Sequence, residues 1–273
     1  MILSVQDYLR NSVRLLSKKG LYLGLTNQAL HGLMEAAPGV SFTEALNAYA
    51  KLFSVLEWKT DFQNTIDEAL LTGIIASRLQ MLSIRFECSE HLFTKSVLEP
   101  NAVWQNFVSL LFEYRSKIEI KIIMCLDRYT NYSNDFLDRL MKFRESIHVF
   151  NVSFEFEHRS WKNPNSLKIF RASRIGIIQR DTPSLSGFHF VLPNYNNKDQ
   201  YLRLLGRNQN EWFSKESSLR YAYDYTKDEL KSIVKEIEGS IPNYQQTCII
   251  AAHTPPENAL SNILELAHIL SQN

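Results

Sequence analysis

"VSFEFEHRSW", residues 152–161, alternates phenylalanine with glutamate and then breaks into His158, Arg159, Ser160 and Trp161. A strand turns successive side chains to opposite faces, so Phe154 and Phe156 share one face and Ser153, Glu155 and Glu157 the other. In a sheet closed on itself, the apolar face meets a layer of helices and the polar face looks into the lumen. Carboxylates at i and i+2 lie about 7 Å apart along a strand. In a partly dry cavity each raises the other's pKa unless a cation lies between them. The stretch therefore predicts a barrel strand with a charged lumen, and it demands a counter-charge from elsewhere in the chain.

Outward from this strand, short β-rich runs alternate with helical patterns. Strands are predicted at 21–25, 53–58, 81–86, 119–126, 149–156, 174–178, 201–205 and 247–252. Amphipathic segments are predicted at 43–51, 101–115, 134–145, 227–238 and 257–270, and residues 183–199 read as a long loop. Three helices open on capping-box pairs, Ser41 with Glu44, Thr226 with Glu229 and Thr254 with Glu257, where a hydroxyl and a glutamate satisfy each other's orphan amides. Eight strands alternating with helices is the pattern of a (β/α)8 TIM-type barrel of the α/β class. A doubly wound sheet is the competitor. It would usually announce a glycine-rich phosphate turn after the first strand, but that strand runs into Thr26-Asn27-Gln28, and no Walker or G-x-G-x-x-G motif follows. One domain over residues 1–273 is expected, with 1–19 as a helical extension in which Val5, Leu9, Ser12 and Leu16 share a face.

The chain has 30 basic and 29 acidic residues, for a formal charge of +1. That argues against a general polyanion binder, although a local basic cleft stays open and nucleic acid remains a partner to weigh. The N-terminal region lacks the uninterrupted apolar run of a signal peptide, and no stretch reaches membrane-span length. Cys88, Cys125 and Cys248 stand in apolar contexts and read as buried free thiols of a cytoplasmic protein. No cofactor motif is present, and none is expected.

Polar residues gather at the predicted strand ends: Glu57, Arg85, Asp127-Arg128, Asp181, Arg203, Arg207, Asn208 and His253. Barrel enzymes place their chemistry at this carboxyl end, often with a phosphate site after the last two strands. Arg203, Arg207 and Asn208 are therefore candidate anion holders, because a guanidinium fork suits phosphate or carboxylate. Glu155 and Glu57 are candidate acid/base groups, and Arg85, Asp181 and His253 candidate lining. Arg220 and Tyr221 open an alternating Arg/Tyr run that either stacks on a flat ligand or packs on the barrel wall. The structural alternative is that these charges form a mutually satisfied network. His253, His158, Glu155, Glu57 and Asp181 are metal-ligand types, yet no H-x-H or H-E-x-x-H spacing occurs. Ser160 has no nucleophile elbow, and Trp161 reads as a lid or plug.

At these residues the chain resembles the YecE-like family, a bacterial group of TIM-type barrels without an established activity. The family's E-F-R-H-x-S-W appears as Glu155-Phe156-Glu157-His158-Arg159-Ser160-Trp161, and its D-x-P as Asp181-Thr182-Pro183. Its R-x-H-G-R-N appears as Arg203-Leu204-Leu205-Gly206-Arg207-Asn208, and its R-Y-D-Y-x-Y-[ST] as Arg220 to Thr226. The match is clearest over residues 152–273. The first half agrees mainly in layout, keeping Glu57 and carrying Arg85 where the family has lysine. Departures fall on inward or mouth positions: Glu157 stands for arginine, Leu205 for histidine, Ala222 for aspartate, and Ala251 and Ala252 for asparagines. The resemblance thus implies the barrel and a changed ligand. The functional expectation is an anionic or phosphorylated ligand at the mouth. The alternatives are a metal-dependent hydrolase of phosphodiesters or nucleic acid, and a non-catalytic interaction barrel.

Overall fold

The computed structural model describes residues 5–36, 39–61, 66–88, 102–185, 191–196 and 198–272, with residues 5–10 as backbone alone. After α1 (Val5–Lys18), parallel strands alternate with helices: β1 (Leu21–Thr26), α2 (Asn27–Glu35), α3 (Phe42–Leu52), β2 (Val55–Thr60), α4 (Glu68–Ala76), β3 (Met81–Cys88) and α5 (Ala102–Tyr114). The chain continues through β4 (Glu119–Leu126), α6 (Asn134–Ser146), β5 (Asn151–Phe156), α7 (Pro164–Ala172), β6 (Gly176–Ile177) and β7 (Gln179–Asp181). It ends with β8 (Asp199–Leu204), α8 (Ser217–Arg220), α9 (Lys227–Ser240), β9 (Gln246–Ala251) and α10 (Pro256–Gln272).

The nine strands run in the order β6-β5-β4-β3-β2-β1-β9-β8-β7. The two ends of that order are consecutive in the chain, separated by Ile178 alone. β6 pairs with β5 and β7 with β8, so the sheet closes through one interrupted strand. This is the expected TIM-type barrel. The strand predicted at 174–178 begins later, at Gly176, and after the break at Ile178 continues to Asp181, which carries Arg180 and Asp181 to the barrel's carboxyl end.

Strand parity sorts the core into two bodies. Leu23, Leu25, Leu56, Ile84, Phe86, Ile122, Phe154 and Phe156 pack under the helices. Val55, Met81, Ile123, Ile178, Tyr201, Cys248 and Ile250 fill the lumen. The three cysteines are free and buried. Two capping boxes form as expected: Ser41 N and Thr226 N each donate to their glutamate at 2.9 Å. The third does not. The Thr254 hydroxyl donates to Ser218 O at 2.7 Å, and α10 begins two residues later. Trp161 is a correction of another kind. It lies fully buried among Phe136, Phe156 and Phe170, with its indole N–H on Thr130 O at 2.9 Å, so it is core on the helix side and not a lid. Helix α1 packs on α10 and α3. Among the described residues no helix is long and apolar enough to cross a membrane.

Candidate functional site

Four strands send one charged side chain each into the carboxyl half of the lumen: Glu57 from β2, Arg85 from β3, Glu155 from β5 and Arg203 from β8. All four are buried. Arg203 lies between the two glutamates. Its Nε donates to Glu57 Oε2 at 3.1 Å and its Nη1 to Glu155 Oε1 at 3.1 Å. Arg85 Nε donates to Glu155 Oε2 at 3.0 Å, and its Nη1 to Glu87 Oε1 at 3.0 Å. Glu87 in turn meets Lys59 at 2.9 Å, and the Tyr201 hydroxyl donates to Glu57 at 2.9 Å. Cation and anion alternate along the whole chain of contacts.

This arrangement supplies the counter-charge that the sequence demanded. Burial by itself would push the Glu155 carboxyl up, but Arg203, Arg85 and Arg180 outweigh it and hold it at about 2. Glu155 is thus a fixed anion at neutral pH, with two guanidiniums occupying its oxygens. At neutral pH it carries no proton to donate, and as a base it is weak. Glu155, Glu157 and the Cys125 thiol bring ligand atoms within 4.8 Å of one another, the only such group among the described residues. The donor set does not fit a metal, because Arg85 already supplies the positive charge there, with Nη2 2.7 Å from Cys125 Sγ. Burial also pushes the Cys125 thiol well up, away from the thiolate that a metal needs.

The other predicted residues are brought to the same end of the barrel, but with partners of their own. Arg207 clamps Asp181, Nε to Oδ1 at 2.8 Å and Nη2 to Oδ2 at 2.5 Å, and the Tyr225 hydroxyl donates to the same carboxylate at 2.7 Å. Gly206, at φ +85°, makes the turn that aims this arginine, and its amide donates to the Tyr225 hydroxyl oxygen at 2.9 Å. Asn208 Nδ2 donates to Leu219 O at 3.0 Å. His253 lies between Leu204 O and Asn262 Oδ1, and burial lowers its pKa, so it stays neutral and structural. Arg207 and Asp181 also line a cavity of about 540 Å³, and His253 lines one of about 260 Å³.

Above the buried charges opens a cavity of about 500 Å³. Arg128, Arg159, Arg180 and Arg220 line it, with Glu157 as the one carboxylate among the described residues and His158 beside it. Tyr129, Trp212, Phe213 and Tyr221 supply aromatic faces, of which Tyr129 (80% exposed) and Phe213 (53%) stand on the rim. Arg220 is steered by Ser214 O and lies over the Tyr221 ring at 5.7 Å. Arg220 and Tyr221 also line a second cavity of about 260 Å³ over Glu57, Arg85 and Arg203, so they stand between two chambers of one mouth. Sequence reasoning found Arg220 and Tyr221. It does not single out Arg180, because it ends the sixth strand at Ile178, nor Trp212 and Phe213. The signal for Arg180 is the polar stretch Gln179-Arg180-Asp181, which continues a strand instead of ending it.

No curated protein matches the chain in sequence. Among solved structures, a DUF72 family protein from Thermotoga maritima superposes with a TM-score of 0.76 at 18% identity, over 92% of this chain and 98% of that one. A DUF72 family protein from Enterococcus faecalis gives 0.73 at 14% identity, over 92% and 95%. A glycoside hydrolase family 5 enzyme from Prevotella bryantii gives 0.50 at 8% identity, over 100% and 98%, a likeness of fold alone. The model of a family described as "protein of unknown function DUF72" matches residues 26–273, and the chain belongs to that family.

Proposed function

We propose that this protein binds a small phosphorylated or otherwise anionic molecule at the carboxyl-end mouth of the barrel, over a floor of buried ion pairs that takes no part in proton transfer. The observation that carries the reading is the lining of the larger chamber, where the described residues set four arginines against one carboxylate, that of Glu157. Guanidinium groups are charged at any relevant pH and match phosphate or carboxylate with paired donors. The aromatic rim suits a ligand with a flat or apolar part beside its anion. Arg203 and Arg207, whose forks are closed on Glu57, Glu155 and Asp181, act through the frame they hold, and the anion itself falls to Arg128, Arg159, Arg180 and Arg220. The ion pairing of Glu155 with Arg85 and Arg203 favours binding over an acid/base role for Glu155 and Glu57.

A thermal-shift screen of phosphorylated small molecules, followed by calorimetric titration of each hit, tests this reading. Arg128→Ala is expected to weaken a true ligand without moving the unfolding midpoint of the free protein, and Arg159→Ala to weaken it whatever its effect on that midpoint. If every hit binds both variants as it binds the wild type, the mouth is not the anion site.

A further inference from the structure

We infer a second anion site at the opposite end of the barrel, where α1 packs beside the ends of α3 and α4. A cavity of about 540 Å³ opens there, lined by Arg14 of α1, Lys51 of α3 and Arg78, which follows α4. Among the described residues no carboxylate lines it, and these three cations make no ion pair there. Asn47, Ser17 and Gln80 add polar groups to the wall. At its strand side lies Ser54, whose buried hydroxyl has no hydrogen-bond partner.

Cations near helix carboxyl ends often serve only to complement the helix dipole. Here several of the last carbonyls are already taken by nearby donors. Phe53 N donates to Tyr49 O at 2.9 Å, closing α3, and Ser77 N to Gly73 O at 3.1 Å, closing α4. The Ser77 hydroxyl covers Ile74 O at 2.6 Å and Arg78 N covers Ile75 O at 3.1 Å. In α1, Lys19 N reaches Leu16 O at 2.9 Å and Ser17 Oγ reaches Arg14 O at 3.0 Å. None of these carbonyls is taken by the charged heads of Arg14, Lys51 or Arg78.

The backbone adds an independent sign. Arg78 has φ +67°, the left-handed position after a helix that glycine or asparagine ordinarily fills. An arginine there costs stability, and residues held against their backbone preference concentrate at binding sites. Arg14 and Ser17 also precede residues 26–273, the part matched by the family model, so this cavity is partly built by a segment outside that match. Three cations, neutral polar groups and a buried hydroxyl are the chemistry that holds phosphate, and the volume admits a diphosphate-sized group.

Inorganic pyrophosphate is the probe, titrated calorimetrically into the full-length protein, with thermal unfolding measured alongside. Arg78→Gly removes the charge while relaxing the backbone, so its unfolding midpoint should hold or rise while pyrophosphate affinity falls about tenfold or more. Arg14→Gln should weaken binding similarly, and Arg128→Ala at the mouth should leave this binding event in place. Absence of any uptake by the wild type overturns the inference. So does an Arg78→Gly variant that binds as the wild type does, or loss of all binding through Arg128→Ala alone.

Discussion

Two sets of arginines lie at one end of this barrel and differ in what surrounds them. Arg85 and Arg203 are buried, and each guanidinium contacts carboxylates on two sides: Glu87 and Glu155 for one, Glu57 and Glu155 for the other. Arg128, Arg159, Arg180 and Arg220 line an open cavity in which Glu157 is the one carboxylate among the described residues, and Arg180 also reaches down to Glu155 at 4.0 Å. The same residue type thus serves as enclosed counter-charge in the first set and as cavity lining in the second. Balanced charge in a dry lumen fixes geometry and stability. Positive charge that outnumbers negative at an opening raises the local concentration of anions.

The sharpest way to break that distinction is to remove the shared cation. Arg203→Met leaves Glu57 and Glu155 buried without it, and should lower the unfolding free energy by roughly 3–5 kcal/mol in a urea titration. A loss below about 1 kcal/mol would mean that the buried charges are not a coupled set.

Acid probes the same set without mutation. The folded-state pKa of Glu155 is depressed to about 2. Its contribution is therefore fully present above the unfolded value of about 4.5 and is lost as pH falls from there through 2. Stability should drop by on the order of 3 kcal/mol across that window, and Glu155→Gln should flatten the drop. Unchanged acid sensitivity in the variant would assign the effect to other groups.

Gly206→Ala tests the join between the two sets. Its φ of +85° and a Cβ that would stand 2.5 Å from Tyr223 Cβ both oppose the side chain. A loss of about 2 kcal/mol is expected, together with weaker ligand binding as Arg207 and the Arg220–Tyr221 wall shift. A variant that is destabilised but binds normally would uncouple the turn from the mouth.

The smallest effects belong to the open arginines. Arg128→Ala should change stability by less than about 0.5 kcal/mol and ligand affinity by about tenfold. Glu157→Gln, by removing the one opposing charge, should tighten binding of an anion. If it weakens binding instead, the ligand presents a cation or a donor to Glu157.

Much of the barrel was readable because its determinants are local. The Ser41–Glu44 and Thr226–Glu229 pairs lie within one helical turn, and the alternation in Val152–Phe156 needs only the strand's own pleat. Thr254–Glu257 failed for a non-local reason: the Thr254 hydroxyl is taken by Ser218, 36 residues away. Of the site, the residue types and their strand-end positions were legible, but their partners were not. Arg207 read as an anion holder because nothing in its neighbourhood in sequence names Asp181, 26 residues earlier, as the group that fills its fork.

By itself the sequence determined the alternation of elements, the inward face of each strand and the need for a cation beside Glu155. Side-chain parity and helix capping act over two to four residues, so a one-dimensional pattern carries them in full. Only the tertiary structure decided that Arg203 from β8 joins Glu57, 146 residues away, to Glu155, 48 residues away. Those contacts cross the lumen between strands that are not neighbours, and barrel closure alone sets which side chains meet at its axis. It is this closure that consumes Arg85 and Arg203 inside the barrel and leaves Arg128, Arg159, Arg180 and Arg220 at its mouth.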